Sequence, residues 1–146
     1  MTATQRIVFT CLVGLVVALL LVGVVSGTVL RHVVQIAPAV AALVLVARRP
    51  ALGAYAAVPV FAFWLCIVAL IWLFLLGLSR IASGHYTLAE IVATVLMAGF
   101  SAAGIRKSVT LGNTLPLSAR ALAIVIFGAL QVGVMWVSLL PQIAHR

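Results

Sequence analysis

The stretch IVFTCLVGLVVALLLVGVV at residues 7–25 decides the fold class, because it contains nineteen residues and no charge. A helix needs about 20 apolar residues to cross a hydrocarbon core roughly 30 Å thick. Arg6 in front of the stretch and Val25-Ser26-Gly27 behind it resemble a signal peptide, but nineteen apolar residues exceed the usual core of about 7–15. The sequence therefore predicts a retained membrane-spanning helix.

Four more apolar stretches follow the first, and each is bounded by charges, prolines or turn residues. The second begins after Gly27-Thr28 and is the least apolar, since Arg31, His32 and Gln35 occupy its first two turns. Alternation typical of a membrane β-strand is absent. We predict an all-α bundle forming a single transmembrane domain over residues 1–146. Its five helices are expected at residues 7–25, 29–47, 51–79, 88–105 and 119–140.

The composition excludes an ordinary soluble domain. Hydrophobic residues make up 66% of the chain and charged residues 7%, against about 25% charged residues in soluble domains. The net charge of +8 comes from nine Lys and Arg residues against one acid, Glu90. A nucleic-acid partner would need these cations on a soluble module. The sequence contains no such module, so we expect membrane lipids and no nucleic acid.

The basic residues predict the orientation, because cytoplasmic segments are enriched in Lys and Arg. With the N-terminus inside, the outer segments contain Arg31, Arg80 and Arg146. We therefore expect a bacterial inner-membrane protein with a cytoplasmic N-terminus and an external C-terminus. Anionic headgroups at the cytoplasmic face would contribute about 1 kcal/mol for each nearby cation. The cytoplasmic segments hold six cations: Arg6, Arg48, Arg49, Arg106, Lys107 and Arg120.

Polar residues collect near the predicted outer ends of helices two, three and four. Thr87-Leu88-Ala89-Glu90 matches a capping box, in which Thr87 and Glu90 bond each other's backbone amides. A charge near lipid is costly unless it is paired, so we also expect Glu90 to contact Arg31 or Arg80. The sequence predicts that the three helix ends converge in one outer polar cluster. Its members are Arg31, His32, Gln35, Arg80, His85 and Glu90.

The two histidines of this cluster raise the question of a cofactor. Imidazoles at similar depth on different helices are the axial ligands of a b-type haem, and His32 and His85 meet the depth condition. Together with Glu90 they could also bind a metal such as zinc. Hydrogen-bonding histidines at the interface explain the same residues more simply. We therefore expect no cofactor, with haem b and a metal at His32 and His85 as alternatives.

The predicted third helix carries large aromatic side chains on one face. Phe61, Trp64 and Trp72 recur at helical spacing, after Pro59. They could form a wall for a lipid, a quinone or a hydrophobic substrate. We favour packing against neighbouring helices or a partner, because aromatic side chains supply large contact area in any case.

Three functional hypotheses follow from these patterns. An accessory or scaffold subunit, bound to other membrane subunits or to copies of itself, explains the nearly apolar spans and is favoured. A small-solute or lipid transporter would need polar groups or broken helices at mid-depth. Only Thr94, Ser101 and Gln131 and the breaks at Pro38 and Pro59 qualify. A haem or metal redox protein is the third hypothesis. We expect no enzymatic activity, because few groups titrate near neutrality.

Overall fold

The computed structural model describes residues 1–81 and 84–144, and these residues contain helices and no strands. Arg146, one of the cations predicted to lie outside, is not among the described residues, and neither are Ala82, Ser83 and His145. The all-α class is as the sequence predicts. The helices are α1 (Ala3–Val25), α2 (Val29–Gln35), α3 (Ala37–Arg48), α4 (Pro50–Leu75), α5 (Leu88–Leu111), α6 (Leu117–Ser138) and α7 (Pro141–Ala144).

Two helices begin with reciprocal capping boxes. In α5 the amide of Glu90 donates to Thr87 Oγ1 and the amide of Thr87 donates to Glu90 Oε2, which confirms the predicted box. A second box was not predicted: Thr2 and Gln5 cap α1 in the same way. Because this cap satisfies the first amides, α1 begins at Ala3 and not at residue 7.

Glycine ends both α1 and α4. Gly27 and Gly77 have positive φ angles of 69° and 72°, which an L side chain rarely adopts. In α4 the amide of Leu78 then donates to Leu73 O at 2.8 Å, the six-residue bond of a Schellman motif. The expected end of this helix at residue 79 is therefore wrong, and α4 stops at Leu75.

The second predicted span is broken into α2 and α3, which meet at Ile36 with a bend of 41°. The expectation of one continuous helix over residues 29–47 is wrong. Pro38 explains the break, since it cannot donate to the carbonyl of Val34 and its ring clashes with that carbonyl. The two pieces pass together as one candidate span, which gives up to five crossings.

The broken pair still runs the full length of α1. At one end a Cβ on Gly23 would lie 2.9 Å from His32 Cβ. At the other end Gln5 Nε2 donates to Val46 O at 2.8 Å. Because these contacts join both ends of α1 to the pair, α2 and α3 form a broken span and not a re-entrant loop.

The last two spans also differ from the expected bounds. α5 continues past Arg106 and Lys107 to Leu111 and ends at Gly112. Arg and Lys are good helix formers and can extend to the interface, so they do not end a membrane helix. α6 covers Leu117–Ser138, and Pro141 starts the short α7.

The five spans form a closed ring at one end of the bundle. Around the ring α1 contacts α5, α5 contacts α4, α4 contacts α6, α6 contacts α2 and α2 contacts α1. Beyond the bend, α3 packs on α1, α4 and α6. We call the end that contains Glu90 the Glu90 end, and the opposite one the Arg6 end. The bend thus places α2 in the ring at the Glu90 end and α3 among the helices at the Arg6 end.

A candidate ligand-binding cavity at the Glu90 end

A cavity of about 270 Å³ lies at the Glu90 end, and we call it the polar cavity. Residues from all five members of the ring line it, and none from α3 is among the described lining residues. The structure therefore brings together five of the six predicted cluster residues. The described lining residues with hydroxyl, amide, imidazole or charged side chains are Ser26, Thr28, Arg31, His32, Gln35, His85, Tyr86, Glu90 and Thr94.

Arg80 is the predicted cluster member that does not line the polar cavity. It lies exposed after the end of α4. The prediction placed it beside Glu90 because α4 was expected to continue to residue 79. Since Gly77 ends the helix earlier, the chain leaves the bundle before Arg80.

The polar cavity has a polar mouth and an apolar floor. Gly84 and His85 are exposed, so the cavity reaches the surface beside them. Leu19, Trp64 and Met97 are buried and close it from below. Trp64 lies eleven residues before the end of α4 at Leu75, which is roughly 16 Å along the helix axis. The cavity thus extends from the surface to about the middle of the bundle.

Glu90 contributes a carboxylate to the mouth without an arginine partner. Its Oε2 accepts hydrogen bonds from the amide and the hydroxyl of Thr87, at 2.7 and 2.8 Å. Within residues 1–81 and 84–144 the carboxylate forms no ion pair, so the expected contact to Arg31 or Arg80 is wrong. The capping box alone fixes the side chain, and the other carboxylate oxygen is available to the cavity.

Arg31 brings a guanidinium to the same cavity. The residue is half-buried, and its Nε is buried without a hydrogen-bond partner among the described residues. A buried donor without a partner is costly, and a charged one more so. Arg31 and Glu90 are therefore opposite charges that line one cavity and do not satisfy each other.

His32 is held in one ring orientation by the start of its own helix. Its Nδ1 lies 3.0 Å from Thr28 O and 3.1 Å from Thr28 Oγ1. Because a carbonyl only accepts, Nδ1 carries the hydrogen, and Nε2 remains for another partner. Thr28 occupies the N-cap position of α2 but makes no side-chain cap bond, since its hydroxyl contacts this histidine.

The described residues contain no group of three or more His, Cys, Asp or Glu side chains that could hold a metal ion. His32 and His85 both line the polar cavity, but His85 lies in the connection before α5 and outside any helix. The haem and metal alternatives therefore stay predictions.

Tyr86 adds a phenol beside Glu90. Burial of the ring and, to a lesser degree, the negative charge of Glu90 raise the pKa of the Tyr86 phenol. The ring packs against Phe74, with centroids 6.1 Å apart. Tyr86 is therefore a neutral hydrogen-bond donor in the mouth of the cavity at physiological pH.

Of the three residues predicted as a ligand wall, only Trp64 lines the polar cavity. Its indole Nε1 is buried with no partner among the described residues. Phe61 is fully buried against Gly104, where a Cβ would collide with its ring. Trp72 donates its indole N–H to Thr94 Oγ1 at 3.0 Å. Phe61 and Trp72 therefore pack between helices, the interpretation favoured from the sequence, and a ligand wall stays a prediction for Trp64.

Thr94, Met97 and Met135 also line the polar cavity and are not among the predicted site residues. Thr94 and Met97 follow Glu90 by four and seven residues, so one helical face carries them into the bundle. This spacing in the sequence could have predicted both residues. Met135 could not have been predicted from spacing, because it meets α2 only through a contact between distant helices. The Gln35 amide nitrogen lies 3.2 Å from the Met135 sulfur and also donates to Ser138 Oγ at 2.9 Å.

At the Arg6 end, backbone and aromatic rings pack closely against glycines. A Cβ on Gly53 would collide with the backbone of Val46, and one on Gly112 with the ring of Tyr55. The Arg120 guanidinium lies 5.5 Å from the centroid of the Tyr55 ring. Arg120 Nε also donates to Leu115 O at 2.6 Å. Arg120 is thus held by a carbonyl and a ring, since the only carboxylate side chain of the sequence, Glu90, lies at the opposite end.

Comparison of the chain with protein-family models, with curated proteins and with solved structures found no match.

Proposed function

We propose that this protein binds a small amphipathic solute or a lipid headgroup in the polar cavity and moves it across the membrane. The broken span beside the cavity is the observation that supports this proposal. Membrane transporters commonly bind substrate near the midplane, where a helix is interrupted. Here the interruption at Ile36 separates α2, which lines the cavity, from α3, which packs at the opposite end.

The bend suggests how the cavity could be reached from either side. Gln35, the last residue of α2, is tied to Ser138 of α6 at 2.9 Å. α3 instead packs through Ala39, Ala42 and Val46, all fully buried. A change of angle at Ile36 would move α3 against its neighbours while α2 keeps its bond to α6. The proposed step breaks no covalent bond, so the function is non-catalytic.

Flux into vesicles tests this proposal. The purified protein is reconstituted into vesicles that contain phospholipids with a fluorescent nitrobenzoxadiazole group on one acyl chain. Dithionite added outside bleaches the outer leaflet, and continued bleaching reports transfer from the inner leaflet. We expect transfer with the wild-type protein. Transfer at the rate of protein-free vesicles, together with no uptake of radiolabelled L-leucine by the same vesicles, from a folded protein, would contradict it.

A matched pair of substitutions on α1 distinguishes a block of the polar cavity from a general effect of a large side chain on the bundle. Val22 lines the polar cavity, whereas Val17 is 58% exposed on the outside of the bundle. Val22→Trp should fill the cavity and abolish the transfer. Val17→Trp should leave it unchanged. Equal effects of the two substitutions would show that transfer does not pass through the cavity.

The orientation expected from the basic residues belongs to the same proposal. The Glu90 end faces outward, and the six cations near the Arg6 end face the cytoplasm and its anionic headgroups. The membrane is the bacterial inner membrane. Reporter fusions after Arg49 and Lys107 should report from the cytoplasm, and a fusion after His85 from outside. The reverse pattern would contradict this orientation.

An accessory or scaffold subunit remains the second candidate, and the outside of α5 and α6 favours it. Gly99 and Ala103 are exposed on α5, and a Cβ on Gly99 would meet nothing within 4 Å. α6 buries only Ala123, Gln131 and Ser138 among its described residues. Small residues on a lipid-facing helix allow a partner helix to approach closely.

Co-purification in mild detergent tests this second candidate. Gly99→Leu should remove a stoichiometric partner subunit, or dissociate a homo-oligomer. Val92→Leu, on an exposed position of the same helix, should not. An identical protein composition and mass for the wild type and both variants would contradict a subunit contact at Gly99.

A further inference from the structure

The polar cavity is unusual because it contains two opposite charges that do not pair with each other. Arg31 and Glu90 both line it and both are half-buried. Each charge has been taken partly out of water, which costs free energy unless a counter-charge replaces the solvent. Within the described residues neither has an ionic partner. The cavity therefore presents one positive and one negative group to whatever enters it.

A ligand with a single charge cannot suit both groups. An anion attracted to Arg31 would also lie in the field of Glu90, and a cation attracted to Glu90 would lie in the field of Arg31. In a cavity of about 270 Å³ a small ligand lies within the roughly 10 Å Debye length of both groups at 0.1 M salt, so it cannot avoid either field. A ligand with both charges at a short separation gains both attractions.

The remaining lining residues fit such a ligand. His32 offers Nε2 as a free ring nitrogen, since Nδ1 is bonded to Thr28. Tyr86 offers a phenol at the mouth, beside Glu90. Below the charged groups the floor is apolar at Leu19 and Met97. Trp64 adds one unpartnered N–H to this apolar floor. Polar groups thus surround the mouth, and an apolar chain would be accommodated below.

We propose that the polar cavity is selective for zwitterionic amphiphiles, with an ammonium group at Glu90, an anionic group at Arg31 and an apolar chain on Trp64. This inference rests on the proposed function, because it requires that the cavity bind a ligand. Two sources share this chemistry: the ethanolamine headgroup of a phospholipid and an α-amino acid with an apolar side chain. The cavity volume, just below the roughly 300–1,000 Å³ of common ligand pockets, suits a compact charged group in both cases.

Binding of matched probes to the purified protein in detergent tests the inference. Three short-chain lipids carry the same dihexanoyl chains: a phosphatidylethanolamine, a phosphatidylglycerol and a trimethylammonium lipid. Free L-leucine is the fourth probe. Intrinsic tryptophan fluorescence gives the Kd of each. We expect phosphatidylethanolamine or leucine to bind about tenfold more tightly than the singly charged lipids, which corresponds to about 1.4 kcal/mol. Preference for the lipid identifies a headgroup, and preference for leucine a free solute.

Two charge-neutralising variants should change the preference in opposite directions. Arg31→Gln should favour the trimethylammonium lipid over phosphatidylglycerol, and Glu90→Gln should favour phosphatidylglycerol over the trimethylammonium lipid. Arg80→Gln removes a charge at the same end but outside the cavity, and should leave the order unchanged. Each comparison is a ratio of Kd values within one variant, so a partial loss of folded protein does not imitate the result.

The outcomes separate this inference from the proposed function. Tight binding of a singly charged lipid, or binding with no preference among the probes, would overturn zwitterion selectivity and leave ligand binding intact. Unchanged preferences in both glutamine variants would overturn it as well. No binding of any probe to the folded wild type would overturn both the inference and the proposed function.

Discussion

The two ends of the bundle satisfy their polar groups in different ways. At the Arg6 end Gln5 and Arg120 donate to backbone carbonyls of other segments, at 2.8 and 2.6 Å. At the Glu90 end the Nε of Arg31 and the indole N–H of Trp64 are buried without partners in the described part of the chain. Ser108 is an exception, because its hydroxyl is unpartnered towards the Arg6 end. One end is therefore closely packed, whereas the other leaves polar groups without partners beside the polar cavity.

The largest expected loss of stability comes from a substitution that disrupts the close packing at the Arg6 end. A Cβ on Gly53 would collide with the backbone of Val46, which cannot move aside as a side chain does. Gly53→Ala should therefore cost about 3 kcal/mol or more of stability. Gly99→Ala, on the open outside of α5, should instead be neutral or stabilising by up to about 1 kcal/mol. Thermal unfolding in detergent, followed by circular dichroism, measures both. Similar losses at the two glycines would contradict the contrast in packing.

Substitutions of two buried glutamines should give the next largest changes in stability, and the two changes should differ in direction. Gln5 both caps α1 and bonds Val46 O, so Gln5→Leu should cost about 2 kcal/mol. Gln131 is equally buried, but its amide has no partner within the described residues. Gln131→Leu should therefore leave the stability unchanged or raise it. The same unfolding measurement compares them. A loss of stability in Gln131→Leu would show that its amide is satisfied by water or another group.

The capping box at the mouth of the polar cavity gives a smaller effect. Thr87→Ala removes a bond at 3.3 Å to the Glu90 amide and should cost about 1 kcal/mol. Glu90→Gln keeps an oxygen for the Thr87 amide and, without an ion pair to lose, should cost less than Glu90→Ala. Thermal unfolding of the three variants checks this order. Equal losses for Glu90→Gln and Glu90→Ala would indicate a charge partner that the structure lacks.

The smallest effect concerns the ionisation of Tyr86. Since the charge of Glu90 helps to raise the pKa of the Tyr86 phenol, Glu90→Gln should lower that pKa. Ultraviolet absorbance of phenolate during a pH titration measures it, with Tyr55→Phe removing the only other tyrosine. A phenol whose pKa is raised in the folded state stabilises the fold below its unfolded pKa of about 10. That stability is lost as the pH rises through the folded pKa. An unchanged pKa in Glu90→Gln would show that burial alone causes the shift.

Much of the fold could be predicted because lipid imposes strong constraints on sequence. Long apolar runs located all five spans, and the T-x-x-E pattern located the cap of α5. The prediction was weaker where a short-range signal competed with a long apolar run. Gly77 ended α4 before residue 79, and Pro38 broke the second span, although both residues were visible in the sequence.

Depth in the membrane predicted which residues share the candidate site, but not which of their side chains contact each other. Shared depth correctly grouped Arg31, His32, Gln35, His85 and Glu90 along one cavity. Depth in the membrane does not determine which side chains form pairs, and the expected contact of Glu90 with an arginine is absent among the described residues. Pairing depends on distances of a few ångströms between side chains on different helices, which hydropathy does not encode.

The sequence by itself determined that this protein is an all-α membrane bundle with its single acidic residue, Glu90, near one end. Backbone polar groups in lipid must be satisfied within each segment, so apolar length alone selects helices and their number. Only the tertiary structure decided that the helices enclose a cavity at the Glu90 end and that Trp64, and not Phe61 or Trp72, reaches it. The physical reason is that a cavity, and the side chains that reach it, depend on contacts between helices that are far apart in the sequence, such as those of α1 with α5 and of α2 with α6.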